Sequence, residues 1–335
     1  MIRRLTIFLA ALLLLPLAEA CAEDAALTVR ASPLDSFTPF PQLIRFGKLE
    51  WRGGLILSSD DPRFGGLSSI ALSRDGSELL AVSDVGSWFK AHFVYAGTRI
   101  TGLDAAEMAP ILNAAGNPDT GKVLNDAEAL AAWEPGMIGG KMIVGFERRV
   151  RAGLFEFKPN GFNARFQDLK LPAEVARGPS NEELESIGRF ASGPFAGSLI
   201  AISERNLDNN GDIRAWIWGG KRRLAFGIKQ YEDYAITDLA ILPNGDLLTV
   251  ERSFGASRLP GMAIRRFSAA DIVAGGAIAP ILLFAGRAPL HAVDNMEGIA
   301  LFQNAQGETI VTLLSDDNFN KTIQRTLILQ FALLP

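Results

Sequence analysis

Short apolar runs alternate with polar turns along most of the chain. The runs are rich in Ile, Leu and Val, and Gly, Pro or Asn interrupts them about every ten residues, which is typical of β-strands rather than helices. Pro243-Asn244-Gly245-Asp246 lies between two such runs and predicts a hairpin turn, as does Arg74-Asp75-Gly76-Ser77 earlier in the chain. We therefore expect an all-β protein built from hairpins.

The hairpins recur as a repeated unit. Each unit opens on an acid or a serine, continues through an apolar strand, a turn and a second apolar strand, and closes on an acid. The openings are 60, 57, 53 and 59 residues apart, at Ser68, Glu128, Glu185, Asp238 and Glu297. This period leaves room for two further strands after each hairpin and is typical of a four-stranded propeller blade. The sequence thus predicts a single β-propeller domain over residues 27–335.

The ends of the chain are expected to complete the ring. Leu43 to Glu50 and Gly54 to Ser58 have the pattern of strands, and so does Thr326 to Leu333. An N-terminal strand that pairs with a C-terminal strand closes a propeller and removes its open sheet edges. We expect these segments to form a sixth blade beside the five repeated units.

The repeat also predicts a ring of carboxylates. In an antiparallel hairpin, residues equally distant from the turn face each other, so the opening and closing residues of a unit lie at the same end. By this count Asp238 faces Glu251. If the first strand of every blade lines the channel, all five open ends meet on one face near the axis. The carboxylates expected there are Asp84, Glu128, Glu147, Glu185, Glu204, Asp238, Glu251, Glu297 and Asp316.

Carboxylates packed this closely raise one another's pKa unless positive charge compensates them. Arginines follow three of the closing acids and are one source of that charge, at positions Arg148, Arg205 and Arg252. Ca²⁺ is the other, because it takes six to eight oxygen ligands of this kind. Neutral amide oxygens are available from Asn125, Asn181, Asn295 and Asn318. Alternatively, the Glu-Arg pairs are structural ion pairs that join neighbouring blades without a ligand.

The first 22 residues have the pattern of an export signal. A positive start is followed by an apolar run from Leu5 to Leu17 and by small residues that favour cleavage after Ala20 or Ala22. We therefore expect a cleaved, periplasmic or secreted protein without a transmembrane segment, with lipid anchoring at Cys21 as the alternative. The net charge of −4 and the lack of basic clusters argue against nucleic-acid binding, and we expect a monomer.

Several segments resemble a known bacterial family. They are Gly65-Gly66-Leu67-Ser68, Ser83-Asp84-Val85-Gly86, Asp126-Ala127-Glu128-Ala129, Val144-Gly145-Phe146-Glu147-Arg148, Asn181-Glu182-Glu183-Leu184-Glu185, Asp294-Asn295-Met296-Glu297 and Leu314-Ser315-Asp316-Asp317-Asn318-Phe319. Together they resemble the phytase-like domain called "esterase-like activity of phytase", from about residue 44 to the end. The resemblance implies a propeller fold and a hydrolase that acts on an ester or phosphate-ester substrate.

The residues favour a metal mechanism over a serine hydrolase. The chain has no Gly-x-Ser-x-Gly elbow, and its two histidines, His92 and His291, leave few options for a Ser-His-acid triad. Bound Ca²⁺ would polarise an oxygen of the substrate and lower the pKa of water, while the three arginines bind the anionic part of the substrate. The candidates for proton transfer are Glu185, Glu297 and His291, which lies close to Asn295 in the sequence.

Two other function classes remain open at this point. Propellers that hydrolyse lactones also hold a divalent metal on the axis with Glu, Asp and Asn ligands, and a comparison of lactones with phosphate esters separates the two activities. A non-catalytic propeller would use the same face to bind a sugar, a peptide or an anion. That reading predicts saturable binding without turnover in the presence of any metal.

Overall fold

The computed structural model describes residues 25–158, 161–177, 184–255 and 258–335. The predicted signal peptide, Cys21 and Asn181 lie outside the described residues. No helix within the described ranges is long and apolar enough to cross a bilayer. The helices there are short: α1 (Lys122–Asn125), α2 (Ala173–Ala176) and α3 (Ala269–Ala274).

The strands form five antiparallel sheets, which we number as blades 1 to 5. The first strands of the chain, β1 (Arg30–Leu34), β2 (Arg45–Phe46) and β3 (Leu49–Ser58), belong to blade 5. Blade 1 contains β4 (Leu67–Leu72), β5 (Glu78–Ser83), β6 (Ser87–Ala96) and β7 (Arg99–Pro110). Blade 2 contains β8 (Ala127–Ala132), β9 (Lys141–Phe146), β10 (Arg151–Glu156) and β11 (Gln167–Leu169).

The remaining blades follow in chain order. Blade 3 contains β12 (Ser186–Arg189), β13 (Leu199–Leu207), β14 (Ile213–Trp218) and β15 (Leu224–Ile228). Blade 4 contains β16 (Ala235–Ile241), β17 (Leu247–Gly255), β18 (Arg258–Phe267) and β19 (Ile281–Arg287). Blade 5 begins with β20 (Asn295–Gln303), β21 (Thr309–Asp316) and β22 (Thr326–Leu333), and β3 and β1 continue it outward.

The propeller therefore has five blades, and the predicted sixth blade is wrong. The fifth repeated hairpin, β20–β21, has only β22 after it in the chain. The N-terminal strand β3 supplies its fourth strand by pairing with β22 from Leu57↔Thr326 to Leu49↔Leu333. The predicted pairing of N- and C-terminal strands is confirmed, but it completes blade 5 and adds no further blade.

The core consists of five apolar layers, one between each pair of adjacent blades. The inner strands β4, β8, β12, β16 and β20 pack on one another in a closed ring. Apolar side chains on the two faces of each blade fill the gaps to its neighbours. Trp88 of blade 1, for example, is fully buried with its ring 5.3 Å from that of Phe155 in blade 2. These layers fix the inner strands around the axis and thereby position the residues at their ends.

Candidate active site on the channel axis

A β-bulge recurs at the same place in the inner strands of four blades. The extra, unpaired residue is Ser68 in β4, Glu128 in β8, Thr237 in β16 and Glu297 in β20. Such a residue leaves the normal alternation of side chains between the two faces of a sheet. The hydroxyls of Ser68 and Thr237 donate hydrogen bonds to the backbone of the next blade, at Ala127 O (2.5 Å) and Met296 O (2.9 Å). At the other two bulges the sequence places a carboxylate instead.

The bulges also shift the residues that close the hairpins. Because Thr237 is extra, Glu251 pairs with Ile236, and Asp238 pairs with Val250. The predicted facing of Asp238 and Glu251 is therefore wrong by one residue. Arg252, and not Glu251, occupies the position in blade 4 that Asp84, Glu147 and Asp316 occupy in blades 1, 2 and 5.

Glu251 consequently lies inside blade 4 and not at the mouth of the channel. Its Oε1 accepts hydrogen bonds from Arg265 Nε at 2.6 Å and Thr249 Oγ1 at 2.8 Å. Both partners of this ion pair are almost completely buried. These contacts are structural ones, so we leave Glu251 out of the proposed metal ligands.

Asp238 lies at the axis, but its carboxylate already accepts three hydrogen bonds from the protein. Its carboxylate accepts from Ser69 Oγ at 2.9 Å in blade 1, from Ile299 N at 3.1 Å in blade 5 and from Leu239 N at 2.8 Å. Burial raises the pKa of Asp238 well above its ordinary value. These contacts assign Asp238 to joining three blades across the channel, so we leave it out of the proposed metal ligands.

Arg252 is the cationic centre of the ring. Its guanidinium lies 2.9 Å from Glu297 Oε1 and 3.1 Å from Glu204 Oε1, and it donates a hydrogen bond to Asn295 Oδ1 at 2.7 Å. Asn295 Nδ2 in turn donates to Glu297 Oε1 at 2.6 Å. The predicted cluster of Arg252, Glu204, Glu297 and Asn295 therefore forms one hydrogen-bonded unit.

Two overlapping sets of carboxylates are close enough to share a cation. The first set is Glu147, Glu185 and Glu204, and the second is Asp126, Glu128 and Glu147. In each set, one oxygen of every residue lies within 4.8 Å of an oxygen of the other two. Glu147 belongs to both sets and all members of the first set are buried.

Two of these carboxylates have no direct partner among the described residues. Within the described part of the chain, neither Glu128 nor Glu185 has a hydrogen-bond or ion-pair partner, although Glu185 is only 5% exposed. Burial, followed by repulsion from Glu204 and Glu297, raises the pKa of Glu185 well above its ordinary value. A buried acid without a partner is costly. Each set contains one of these two carboxylates, so either set fits a bound cation that would compensate its unpaired acid.

Two further cations and a further acid lie at the mouth of the channel. Lys122 Nζ of α1 lies 2.5 Å from Asp84 Oδ2 and 3.1 Å from Asp126 Oδ1. Arg148 Nε donates to the other oxygen of Asp126 at 2.8 Å. Lys122 and Arg148 remain 44% and 43% exposed, so both can also reach a ligand in solution. Asp84 Oδ1 is buried and has no hydrogen-bond partner among the described residues.

The chain matches a known protein family. The family described as "Phytase-like: Esterase-like activity of phytase" matches residues 62–319, which is about three quarters of the chain. The chain belongs to this family. The resemblance predicted from the sequence is thus confirmed, over a shorter range than residues 44 to 335. No curated protein matches the chain at a significant level.

The remaining predicted residues of this phytase-like domain lie at the edge of the ring. Arg205 Nε is 3.9 Å from Glu204 and its side chain is about half exposed. Asp316 is buried, and burial raises the pKa of its carboxyl well above the ordinary value. Asn318 is exposed, and its backbone amide donates to Asp316 Oδ1 at 2.8 Å.

His291 lies among aromatic residues between blades 4 and 5. Its ring centroid is 5.3 Å from those of both Phe37 and Phe284, and its Nδ1 accepts a hydrogen bond from Arg287 N at 3.2 Å. These contacts are structural ones, and none joins His291 to the carboxylates of the ring. Its closeness to Asn295 in the sequence does not bring its ring to the site, so we leave His291 out of the proposed general bases.

Sequence reasoning missed Lys122 and Asp126 as site residues. Both lie in the connection between blades 1 and 2, outside the repeated hairpins on which the prediction was based. The available signal was their spacing, because residues four apart face the same way on a helix such as α1. Asp126 also immediately precedes β8, beside the bulge at Glu128.

Proposed function

We propose that this phytase-like protein is a metal-assisted hydrolase of esters or phosphate esters, with one divalent cation on the channel axis. The observation that carries the proposal is the first carboxylate set. Glu147, Glu185 and Glu204 converge within 4.8 Å, and Glu185 has no hydrogen-bond or ion-pair partner in the described part of the chain. The alternative interpretation is that the acids form structural ion pairs without a ligand. In that case each buried acid would have a cationic partner, which Glu185 lacks among the described residues.

Ca²⁺ is the cation that these ligands suit best. The set contains only carboxylate oxygens, and hard oxygen ligands are typical of Ca²⁺ or Mg²⁺ rather than of zinc or copper. Three acids leave room for further oxygens, which agrees with the high coordination number of Ca²⁺. The export pattern of residues 1–22 supports the same choice, since calcium sites of extracellular proteins are common at Kd values of about 10⁻⁴–10⁻³ M.

The bound cation would polarise a phosphoryl or carbonyl oxygen and lower the pKa of water. Residues of the chain accept the proton and position the other groups of the site. Glu297 is the proposed proton acceptor, because burial raises its pKa to about 7, where a general base works best at neutral pH. Arg252 holds Glu297 and Glu204 in place through its two ion pairs.

The exposed cations of the mouth bind the anionic part of the substrate. Lys122 and Arg148 are anchored on Asp126, and Arg205 is beside Glu204. Planar guanidinium groups suit phosphate and carboxylate oxygens because they donate two parallel hydrogen bonds. This arrangement favours an anionic substrate over a neutral one.

A hydrolysis assay with three substrate classes tests the proposal. The purified protein is assayed on 4-nitrophenyl phosphate, 4-nitrophenyl acetate and a γ-lactone, with Ca²⁺ or with EDTA. We expect Ca²⁺-dependent turnover of at least one ester, and a loss of kcat by about 10²–10⁴-fold in Glu297→Gln. Glu156→Gln, an exposed acid of β10, is the control and should retain full activity.

The outcomes separate the function classes. Turnover of the lactone alone would assign the protein to lactone hydrolysis. Turnover that persists in EDTA would overturn the metal mechanism. Calcium binding without turnover of any of the three substrates would favour a binding protein.

A further inference from the structure

Phe319 has an unusual backbone conformation beside the channel mouth. Its φ is +53°, and the preceding Asn318 has a φ of +47°. Asn tolerates this left-handed region, whereas a bulky aromatic residue rarely adopts it. Strained residues of this kind persist when surrounding contacts hold them, and they cluster at functional sites.

Two buried carboxylates hold this turn in place. The Asn318 amide donates to Asp316 Oδ1 at 2.8 Å, and the Phe319 amide donates to Asp317 Oδ1 at 3.0 Å. Asp317 Oδ1 also accepts from Gly66 N at 3.2 Å, which ties the turn to the start of blade 1. These hydrogen bonds fix the backbone from which the Phe319 side chain extends.

Two glycines, Gly65 and Gly66, leave space for the aromatic ring of Phe319. A Cβ at Gly65 would lie 2.8 Å from Phe319 Cδ1, and a Cβ at Gly66 would lie 2.6 Å from Phe319 Cε2. The Cβ at Gly66 would also collide with Asp84 Oδ1. The ring thus lies over the Gly65–Gly66 backbone, next to the acid whose second oxygen binds Lys122.

The Phe319 side chain remains partly accessible although it packs on this backbone. Phe319 is 38% exposed, so its aromatic ring can contact a ligand. Lys122 contacts the other oxygen of the same acid, Asp84 Oδ2. At the mouth of the channel, the aromatic side chain of Phe319 and the ammonium group of Lys122 therefore both lie next to Asp84.

We propose that Phe319 is a substrate-binding residue that stacks on an aromatic ring of the substrate. This inference rests on the proposed function and specifies its substrate class as aryl esters or aryl phosphates. Lys122 then binds the anionic part of the substrate, and the aromatic ring of the substrate packs on Phe319. Aromatic pairs gain about 0.5–1.5 kcal/mol beyond their buried area, which corresponds to about a 2- to 10-fold gain in affinity.

Binding of two phosphonates tests the inference without any turnover. Phenylphosphonate and methylphosphonate present the same anionic group, and only the first has a ring. Calorimetry in the presence of Ca²⁺ should show phenylphosphonate binding about 2- to 10-fold more tightly to the wild-type protein. In Phe319→Asn the preference should disappear, and in Phe319→Trp it should remain. Asn tolerates the positive φ, so the backbone of the turn is retained.

Two control variants test whether the effect is specific to the side chain of Phe319. Leu290→Asn replaces another large, exposed apolar residue, in the loop between β19 and β20, and should keep the preference. If Phe319→Asn does not melt cooperatively, Phe319→Gly is the second replacement, since a positive φ costs glycine nothing. Loss of the preference in Phe319→Asn without turnover in any assay would support the aromatic site and contradict hydrolysis. An equal preference in wild type and Phe319→Asn, or no binding of either phosphonate, would overturn the inference.

Discussion

The guanidinium of Arg252 lies 2.9 Å from Glu297 Oε1, at a ring position where neighbouring blades present a carboxylate. Arg252 thus stands where the other blades have an acid, and its positive charge partly neutralises Glu297 and Glu204. We propose that the other acids of the ring, above all Glu185, hold an added cation. Arg252 and the bound cation would then share the compensation of the negative charge.

Replacement of Arg252 is therefore expected to destabilise the metal-free protein. In Arg252→Met, measured in EDTA by urea unfolding, we expect the free energy of unfolding to fall by about 3–5 kcal/mol, because buried charges lose their partner. Added Ca²⁺ should restore part of the loss. Arg205→Met is the control, since Arg205 is half exposed and its ion pair is long, so about 0–1 kcal/mol is expected. Equal effects of the two changes would contradict the central role of Arg252.

The stability of the metal-free protein should fall as pH rises from about 4.5 to 7. Burial, with repulsion from Asp126 and Glu204, raises the pKa of Glu147 from 4.5 to about 7, and burial raises the pKa of Glu297 to the same range. A raised pKa means that the folded state holds the proton more tightly than the unfolded state. The stabilisation is present below pH 4.5 and is lost as pH rises through 7.

Thermal melts between pH 4.5 and 8 in EDTA measure this effect. Ca²⁺ should flatten the dependence, because it compensates the ionised acids. Glu297→Gln should reduce the slope, since Gln does not titrate. A melting temperature that rises steadily with pH in EDTA would show that these acids are compensated without a metal.

Lys122 is predicted to affect substrate binding more than chemistry. In Lys122→Met we expect KM for an anionic ester to rise about 10-fold, the typical effect of losing a hydrogen bond to a charged group, with little change in kcat. Lys141→Met is a matched control, because Lys141 is 45% exposed against 44% for Lys122 and has only a 3.8 Å contact with Glu156. A change confined to kcat would place Lys122 in the chemical step instead.

Glu251 should prove structural. Glu251→Gln leaves Arg265 buried without its counter-charge, so the free energy of unfolding should fall by about 3–5 kcal/mol. The Kd for Ca²⁺ should not change, because Glu251 lies inside blade 4. Calcium titration of the folded variant checks this, and a Kd raised tenfold or more would return Glu251 to the metal site.

Much of the fold could be read from the sequence because the repeat is regular. The spacing of Glu128, Glu185 and Glu297 and the apolar runs between them predict a propeller, and the structure confirms it. The five repeated units correspond to the five blades, and the error was to assign the ends of the chain to a sixth. The hairpin repeat does not show that the fifth unit has only one strand, β22, after the turn-linked pair and takes β3 as its fourth strand.

The site was harder to predict than the fold because one residue decides which way a side chain faces. The bulge at Thr237 moves Glu251 into the blade and brings Arg252 into the ring, yet nothing in the local pattern marks a bulge there. Hairpin symmetry therefore placed Glu147, Glu185 and Glu204 together correctly and misplaced Glu251. Lys122 could not be found by any repeat, because it lies in a connection between blades.

A calcium titration of the EDTA-treated protein tests the central claim most directly. Calorimetry and thermal melts are compared for the wild type, Glu185→Gln, Glu128→Gln and the control Glu156→Gln. We predict saturable binding to the wild type that raises the melting temperature, with Kd at least about tenfold weaker in Glu185→Gln and unchanged in Glu156→Gln. A loss in Glu128→Gln alone would move the cation to the set of Asp126, Glu128 and Glu147. Absence of saturable binding to the wild-type protein, or binding unaffected by either ring variant, would contradict a metal site on the axis.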